Sequence, residues 1–255
     1  MKVVILAGGV GTRLSEETEV RPKPMVEIGH RPILWHIMKH YLHFGFNDFV
    51  LCLGYKGEYI KRYFTEALAS SRDITIDFAS GTVEEHRFQA EPWRITMVDT
   101  GNNSETAGRL MKVRDYLDDQ PFMLTYGDGV ADVDLHDLVS LHRAEGRLAT
   151  VTAVHPTARF GQLALDGAAV VRFDEKPQMS EGWVNGGYFV LEPGIFDYIP
   201  GNVDWAKEPL EGLARDCQLA AYRHDGFWQS MDTLRDKLYL NSLWDRGDPK
   251  WKVWE

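Results

Sequence analysis

Cysteine is nearly absent: the 255 residues include two, Cys52 and Cys217. That excludes a disulfide scaffold and a cysteine-based zinc site. No charge-free apolar run approaches the ~20 residues of a membrane helix. Lys2 followed by Val3, Val4, Ile5, Leu6 and Ala7 faintly imitates a signal peptide, but Gly8-Gly9 and then Arg13 follow, so a buried strand is the better reading. No Ser/Gly/Pro-rich linker, low-complexity tract or repeat divides the chain. The nine histidines show no H-E-x-x-H spacing, which argues against zinc. Positive charge is in deficit: 28 Lys and Arg against 38 Asp and Glu leave a net charge of −10. A general nucleic-acid binder draws its affinity from many Lys/Arg–phosphate contacts, so this balance argues against that class. The expectation is one cytoplasmic domain with no nucleic-acid and no membrane partner. A phosphate ligand would need its cations clustered against the overall trend.

What is present suits a globular enzyme-sized domain. A chain of this length buries about three quarters of its unfolded surface and needs no covalent staple. Residues 3–7 are an apolar, β-branched run, the pattern of a strand covered on both faces. Pro32 opens a helix with Ile33, Leu34, Ile37, Met38, Tyr41 and Leu42 on one stripe, ending near Gly45. Residues 49–53 form a second buried strand. Tyr59, Ile60, Tyr63, Phe64 and Ala67 mark a second helix, whose aromatic stripe reads as core. Leu110, Val113 and Leu117 mark a third. A strand over 122–126 ends at Gly127-Asp128-Gly129, followed by a helix near 135–145 and a strand at 149–154. Strands alternating with helices predict an α/β fold: a Rossmann-like, mostly parallel central sheet flanked by helices. Ligands bind beyond the carboxyl ends of such strands, which puts the Gly8–Arg13 loop and Asp128 on one rim.

The second half is richer in β signals. Asp166-Gly167 between Leu163-Ala164-Leu165 and Val170-Val171 predicts a hairpin. Residues 184–191 read as a strand interrupted by Gly186-Gly187, a sign of close backbone approach to a ligand. An amphipathic helix near 233–245 carries Leu234, Leu238 and Leu243.

Two constellations carry chemistry. In Leu6-Ala7-Gly8-Gly9-Val10-Gly11-Thr12-Arg13-Leu14, three glycines after a buried strand let backbone N–H groups face an anion, and Arg13 adds a charged fork. A plain tight turn is the competing reading. A P-loop is excluded, because Thr12-Arg13 stand where Lys and Ser/Thr are required. A dinucleotide fold needs a full helix after its loop, and Pro22 and Pro24 break one. In Arg21-Pro22-Lys23-Pro24-Met25, the prolines stiffen the backbone that carries an ammonium. A merely solvated lysine would have no use for that rigidity.

G-G-x-G-T-R-L followed about ten residues later by P-K-P-M resembles the sugar-1-phosphate nucleotidylyltransferases. The resemblance runs along nearly the whole chain and is closest to the glucose-1-phosphate cytidylyltransferase branch. It is carried further by Val98-Asp99-Thr100-Gly101, Gly108-Arg109-Leu110, Tyr126-Gly127-Asp128-Gly129, Glu175-Lys176-Pro177, Asn185-Gly186-Gly187 and Phe227-Trp228-Gln229 with Met231-Asp232. It implies a nucleotide-diphospho-sugar transferase, GT-A-like fold with a smaller, β-rich sugar-binding part. Residues 1–130 would mainly bind nucleotide, and 131–255 mainly sugar phosphate and oligomer contacts, within one domain. The implied reaction is CTP plus α-D-glucose 1-phosphate giving CDP-glucose and pyrophosphate, serving deoxysugar or cell-surface polysaccharide synthesis.

The sugar phosphate is already an anion at neutral pH, so no general base is needed; the obstacle is joining two polyanions. The clustered Arg13, Arg21 and Lys23 would supply cations. By resemblance, Arg13, Lys23 and Asp128 are catalytic, and Asp128 and Asp232 hold Mg²⁺. Leu6, Ala7, Gly8, Gly9, Gly11, Thr12, Arg13, Ser104, Arg109 and Gly127 bind nucleotide. Glu175, Lys176, Asn185 and Gly187 bind the sugar phosphate. From the residues alone, Asp128 also reads as a turn aspartate, Glu175-Lys176 as an exposed charged turn, and Arg109 as a helix-face arginine. Another acceptor phosphate, UTP or dTTP in place of CTP, or a non-catalytic nucleotide-sugar sensor remain open. The family is oligomeric, as trimers or hexamers. The crowded Trp244, Trp251 and Trp254 either pack on the domain or cover a subunit contact, and the oligomeric family favours the contact.

Overall fold

The computed structural model describes residues 1–156 and 182–255, together with the backbone of the strand pair Gln162–Asp166 and Ala169–Asp174. Its centre is a seven-stranded sheet. The strands are β1 (Val3–Leu6), β2 (Asp48–Leu53), β3 (Arg94–Asp99), β4 (Phe122–Tyr126), β5 (Ala149–Val154), β6 (Val184–Leu191) and β7 (Leu219–His224). They lie in the order β7-β5-β6-β4-β1-β2-β3. β6 runs antiparallel to β4 and β5, and every other pairing in the sheet is parallel.

The flanking helices are α1 (Ile33–His43), α2 (Gly57–Ala69), α3 (Thr106–Lys112), α4 (Leu135–Glu145), α5 (Glu208–Arg215) and α6 (Leu234–Asp245). The unbroken apolar run of β1 follows from this layering. Val3 and Ile5 pack in one core with α1, α2, α4 and α6, while Val4 and Leu6 pack in a second with α3 and α5. Alternate side chains of a strand face opposite ways, so a strand covered on both sides needs an apolar residue at every position. No helix among the described residues is long and apolar enough to cross a membrane.

Three expectations need correction. α3 stops at Lys112: Val113 leaves helical geometry at φ −104°, ψ 3°, and a 3₁₀ turn over Arg114–Tyr116 carries Leu117 into the core. In α6, Leu234 and Leu238 are exposed, and the buried face is Leu240 and Leu243. Trp251 and Trp254 are buried within their own domain. Trp244 and Trp251 stand edge-on to the His36 ring of α1, with centroids 5.0 and 5.9 Å away, so this cluster closes the core instead of a subunit contact. The Asp166-Gly167 hairpin is borne out by its antiparallel strands; Gly167 lies outside the described residues.

Candidate active site

The parallel register sets the site. Leu6 pairs with Tyr126, and Leu53 with Asp99, so the loops after β1, β2, β3 and β4 all leave from the same rim. After β1 the chain turns at Gly11, which sits in the left-handed region at φ 69°, and continues into a 3₁₀ turn over Thr12–Leu14 anchored by the buried Leu14. Gly8 is required for a different reason. A Cβ there would lie 2.2 Å from Nη1 of Arg109.

Arg109 projects from α3 into the gap between the strand ends. Its guanidinium donates to the carbonyls of Gly8 (2.9 Å), Leu53 (3.1 Å) and Gly101 (2.8 Å) and to Thr100 Oγ1 (2.8 Å). One side chain thus ties together the loops after β1, β2 and β3.

Lys23 lies on a 3₁₀ turn over Lys23–Met25, entered through Pro22 in extended geometry. It is only 8% exposed. Its ammonium donates to Asp128 Oδ2 and to Asp232 Oδ1, each at 2.6 Å. Asp128 arrives from the end of β4. Asp232 arrives through a short antiparallel pairing of Trp228–Ser230 with Gly129–Ala131, continued by a hydrogen bond from Met231 N to Asp128 O. Arg13 Nη2 lies 3.1 Å from the same Asp232 Oδ1. Burial alone would lower the Lys23 pKa, but the Asp128 and Asp232 carboxylates outweigh it and raise the value. Burial likewise acts to raise Asp232, yet hydrogen bonding and charge from Lys23, with Arg13 and Ser230, hold its carboxyl below the usual range. Both shifts favour the charged forms of Lys23 and Asp232.

Two cavities of about 300 and 290 Å³ meet here, sharing Arg13, Tyr126 and Asp128 in their walls. The first is lined by Leu6, Gly8, Gly9, Gly11, Thr12, Lys23, Ser104, Arg109 and Gly127, so it gathers the expected nucleotide residues except Ala7. Ala7 is fully buried, and its N–H donates to Cys52 O. The second is lined by Asn185, Gly187 and Asp232, together with Trp228 and Ser230. Glu175 and Lys176 lie outside the described residues. Arg21 does not join the cation cluster: Glu27 engages it at 2.8 Å and Glu17 at 4.0 Å. Tyr126 and Trp228 also line the walls, and the sequence motifs alone do not single them out. Their signal is position: each neighbours Gly127 or Gln229 in a segment that carries the resemblance.

Among the described residues no group of three or more His, Cys, Asp and Glu side chains forms a metal cage. Asp128 and Asp232 could still hold a hard cation. Two carboxylates whose oxygens converge on one positive atom, beside a cavity with room for phosphate, are the donor set Mg²⁺ uses.

The profile of the nucleotidyl transferase family matches residues 2–231. A glucose-1-phosphate cytidylyltransferase from Salmonella typhi is 52% identical over 257 residues, covering 100% of both chains. A protein of the same name from Salmonella typhimurium matches at 52% with the same coverage. Among solved structures, HddC from Yersinia pseudotuberculosis complexed with GMP-PN superposes with a TM-score of 0.68 at 22% identity, covering 95% of this chain and 99% of that one. That likeness bears on the fold, which is the GT-A-like arrangement expected. The chain belongs to the nucleotidyl transferase family, in the branch of the glucose-1-phosphate cytidylyltransferases.

Proposed function

We propose that the protein transfers a cytidylyl group from CTP to α-D-glucose 1-phosphate, giving CDP-glucose and pyrophosphate. The observation that carries this reading is the meeting of Lys23, Arg13, Asp128 and Asp232 where the two cavities join. A phosphate oxygen of the sugar phosphate attacks the α-phosphorus of CTP. A new P–O bond forms, the bond to the β-phosphate bridge breaks, and pyrophosphate leaves with the electron pair. No proton needs to move. Lys23 and Arg13 lower the repulsion between the anions and stabilise the charge that builds up in the transition state. Mg²⁺, held by Asp128 and Asp232, would neutralise phosphate charge at the same point.

The glycine turn supplies backbone N–H groups to the phosphates, and Ser104 and Arg109 serve the base end of the nucleotide cavity. Asn185 and Gly187, with Glu175 and Lys176, are assigned to the sugar phosphate. On this reading residues 1–130 mainly serve the nucleotide, and 131–255 mainly the sugar phosphate and subunit contacts. The protein works as a homo-oligomer. The hairpin Arg72–Asp77 with Thr82–Phe88 supports this, because it exposes Ile74, Ile76, Phe78 and Val83. Large apolar side chains grouped on a projecting ribbon mark an interaction surface.

A panel of CTP, UTP and dTTP against several sugar 1-phosphates tests the assignment. Turnover with UTP or dTTP in place of CTP overturns the base alone. Turnover of CTP with a different acceptor overturns the sugar alone.

A further inference from the structure

We infer that Lys23 is an internal counter-cation that occupies the metal's place in the free protein, so that a divalent ion binds well only when a nucleotide draws the lysine away. The inference rests on the reading of Asp128 and Asp232 as the metal-holding pair. Lys23 Nζ is equidistant from the two carboxylates, at 2.6 Å from an oxygen of each, and its side chain is buried. Asp232 Oδ1 is doubly engaged, by Lys23 and by Arg13. The other oxygen, Asp232 Oδ2, accepts from Ser230 Oγ at 3.3 Å. The position between the carboxylates is therefore already held by a positive group.

Charge points the same way. Lys23 and Arg13 balance Asp128 and Asp232, so a bare divalent cation would bring two excess positive charges into a half-buried site. A triphosphate reverses this balance. Its oxygens offer Lys23 and Arg13 new partners in the adjoining cavity, which both residues line. With the ammonium withdrawn, the two carboxylates and the phosphates together form an oxygen-only site. Nucleotide and metal thereby bind with positive coupling, and each must raise the affinity for the other by the same factor. Pro22 and Pro24 suit this role. They hold the backbone of Lys23 still, so the exchange needs only side-chain rotation.

The test measures Mn²⁺ binding without nucleotide, by loss of the free-ion electron paramagnetic resonance signal. It compares the wild-type protein with Lys23→Met, which keeps the apolar stem. The variant is expected to bind Mn²⁺ at least about tenfold more tightly, because a unit charge a few ångströms from the ion is gone. Equal or weaker binding overturns the inference. A second measurement needs no variant. In the wild-type protein, acetylation of Lys23, followed by mass spectrometry, should rise when Mn²⁺ is added to saturation. An unchanged acetylation rate overturns the inference as well. Neither readout involves turnover. Absence of pyrophosphate release would count against the proposed reaction and leave the lysine–metal exchange standing.

Discussion

The Arg109 guanidinium lies 2.9 Å from the carbonyl oxygen of Gly8, a residue 101 positions earlier in the chain. This contact holds the phosphate-facing turn against the strand ends after β2 and β3. Arg109→Ala is expected to cost about 2–4 kcal/mol, the loss of several charge-assisted hydrogen bonds from a buried site. It should also raise KM for the nucleotide. Gly8→Ala should be similarly harmful, because its Cβ would fall 2.2 Å from Arg109 Nη1. The double variant should be less unstable than the sum of the two, since removing Arg109 relieves that clash. Urea unfolding of the four proteins checks this; strict additivity would show that the two residues do not meet.

Asp128→Asn should lower kcat by at least about 100-fold, the scale seen when one group that stabilises transition-state charge is removed. Its melting temperature should stay near that of the wild type, because the Asp128 side chain is partly exposed at the rim. Activity of Asp128→Asn equal to the wild type at every Mg²⁺ concentration would count against its role as a ligand.

Acid should destabilise the protein before its carboxylates titrate. Burial pushes both His36 and His40 down to about 4. Their tautomers are fixed by contacts. Each donates from Nε2 to a carbonyl, Ile28 O or Val133 O, and His36 Nδ1 accepts from the Trp251 indole N–H at 3.3 Å. Protonating His36 would set two donors face to face. With folded values below the unfolded value of about 6.5, the unfolded chain binds more protons, and stability falls as pH drops from about 6.5 to 4. Calorimetric melting at a series of pH values should show this loss. A flat melting temperature from neutrality to pH 5 would contradict the buried neutral state.

The hairpin gives a fourth expectation. Ile76→Asp with Phe78→Asp should reduce the mass seen by light scattering to that of one chain, 29.1 kDa. Both side chains are exposed and belong to neither core, so the melting of the separated subunits should be little changed. An oligomer that survives both substitutions would move the contact elsewhere.

Local signals carried much of the site. A glycine turn directly after a buried strand, and a lysine braced by prolines, depend on neighbours in sequence, and both line the expected cavity. Asp232 was different. Spacing could not bring it to Lys23, 209 residues away, because that meeting depends on the pairing of Trp228–Ser230 with Gly129–Ala131. Only resemblance singled it out. Arg21 misled for the opposite reason: it neighbours Lys23 in sequence, but Glu27 and Glu17 claim its charge. β3 is not legible in the sequence because it is the sheet's edge, with partly buried residues and no clean apolar run. The C-terminal tryptophans showed that an aromatic cluster signals burial without saying against what. His36 supplied that answer from α1.

The most direct measurement incubates the purified protein with CTP, α-D-glucose 1-phosphate and Mg²⁺, and follows pyrophosphate by a coupled assay and the nucleotide sugar by mass spectrometry. CDP-glucose and pyrophosphate should appear in equal amounts, and Asp128→Asn should produce neither at a comparable rate. Tight CTP binding with no pyrophosphate release, from any sugar 1-phosphate offered, would contradict the assigned chemistry.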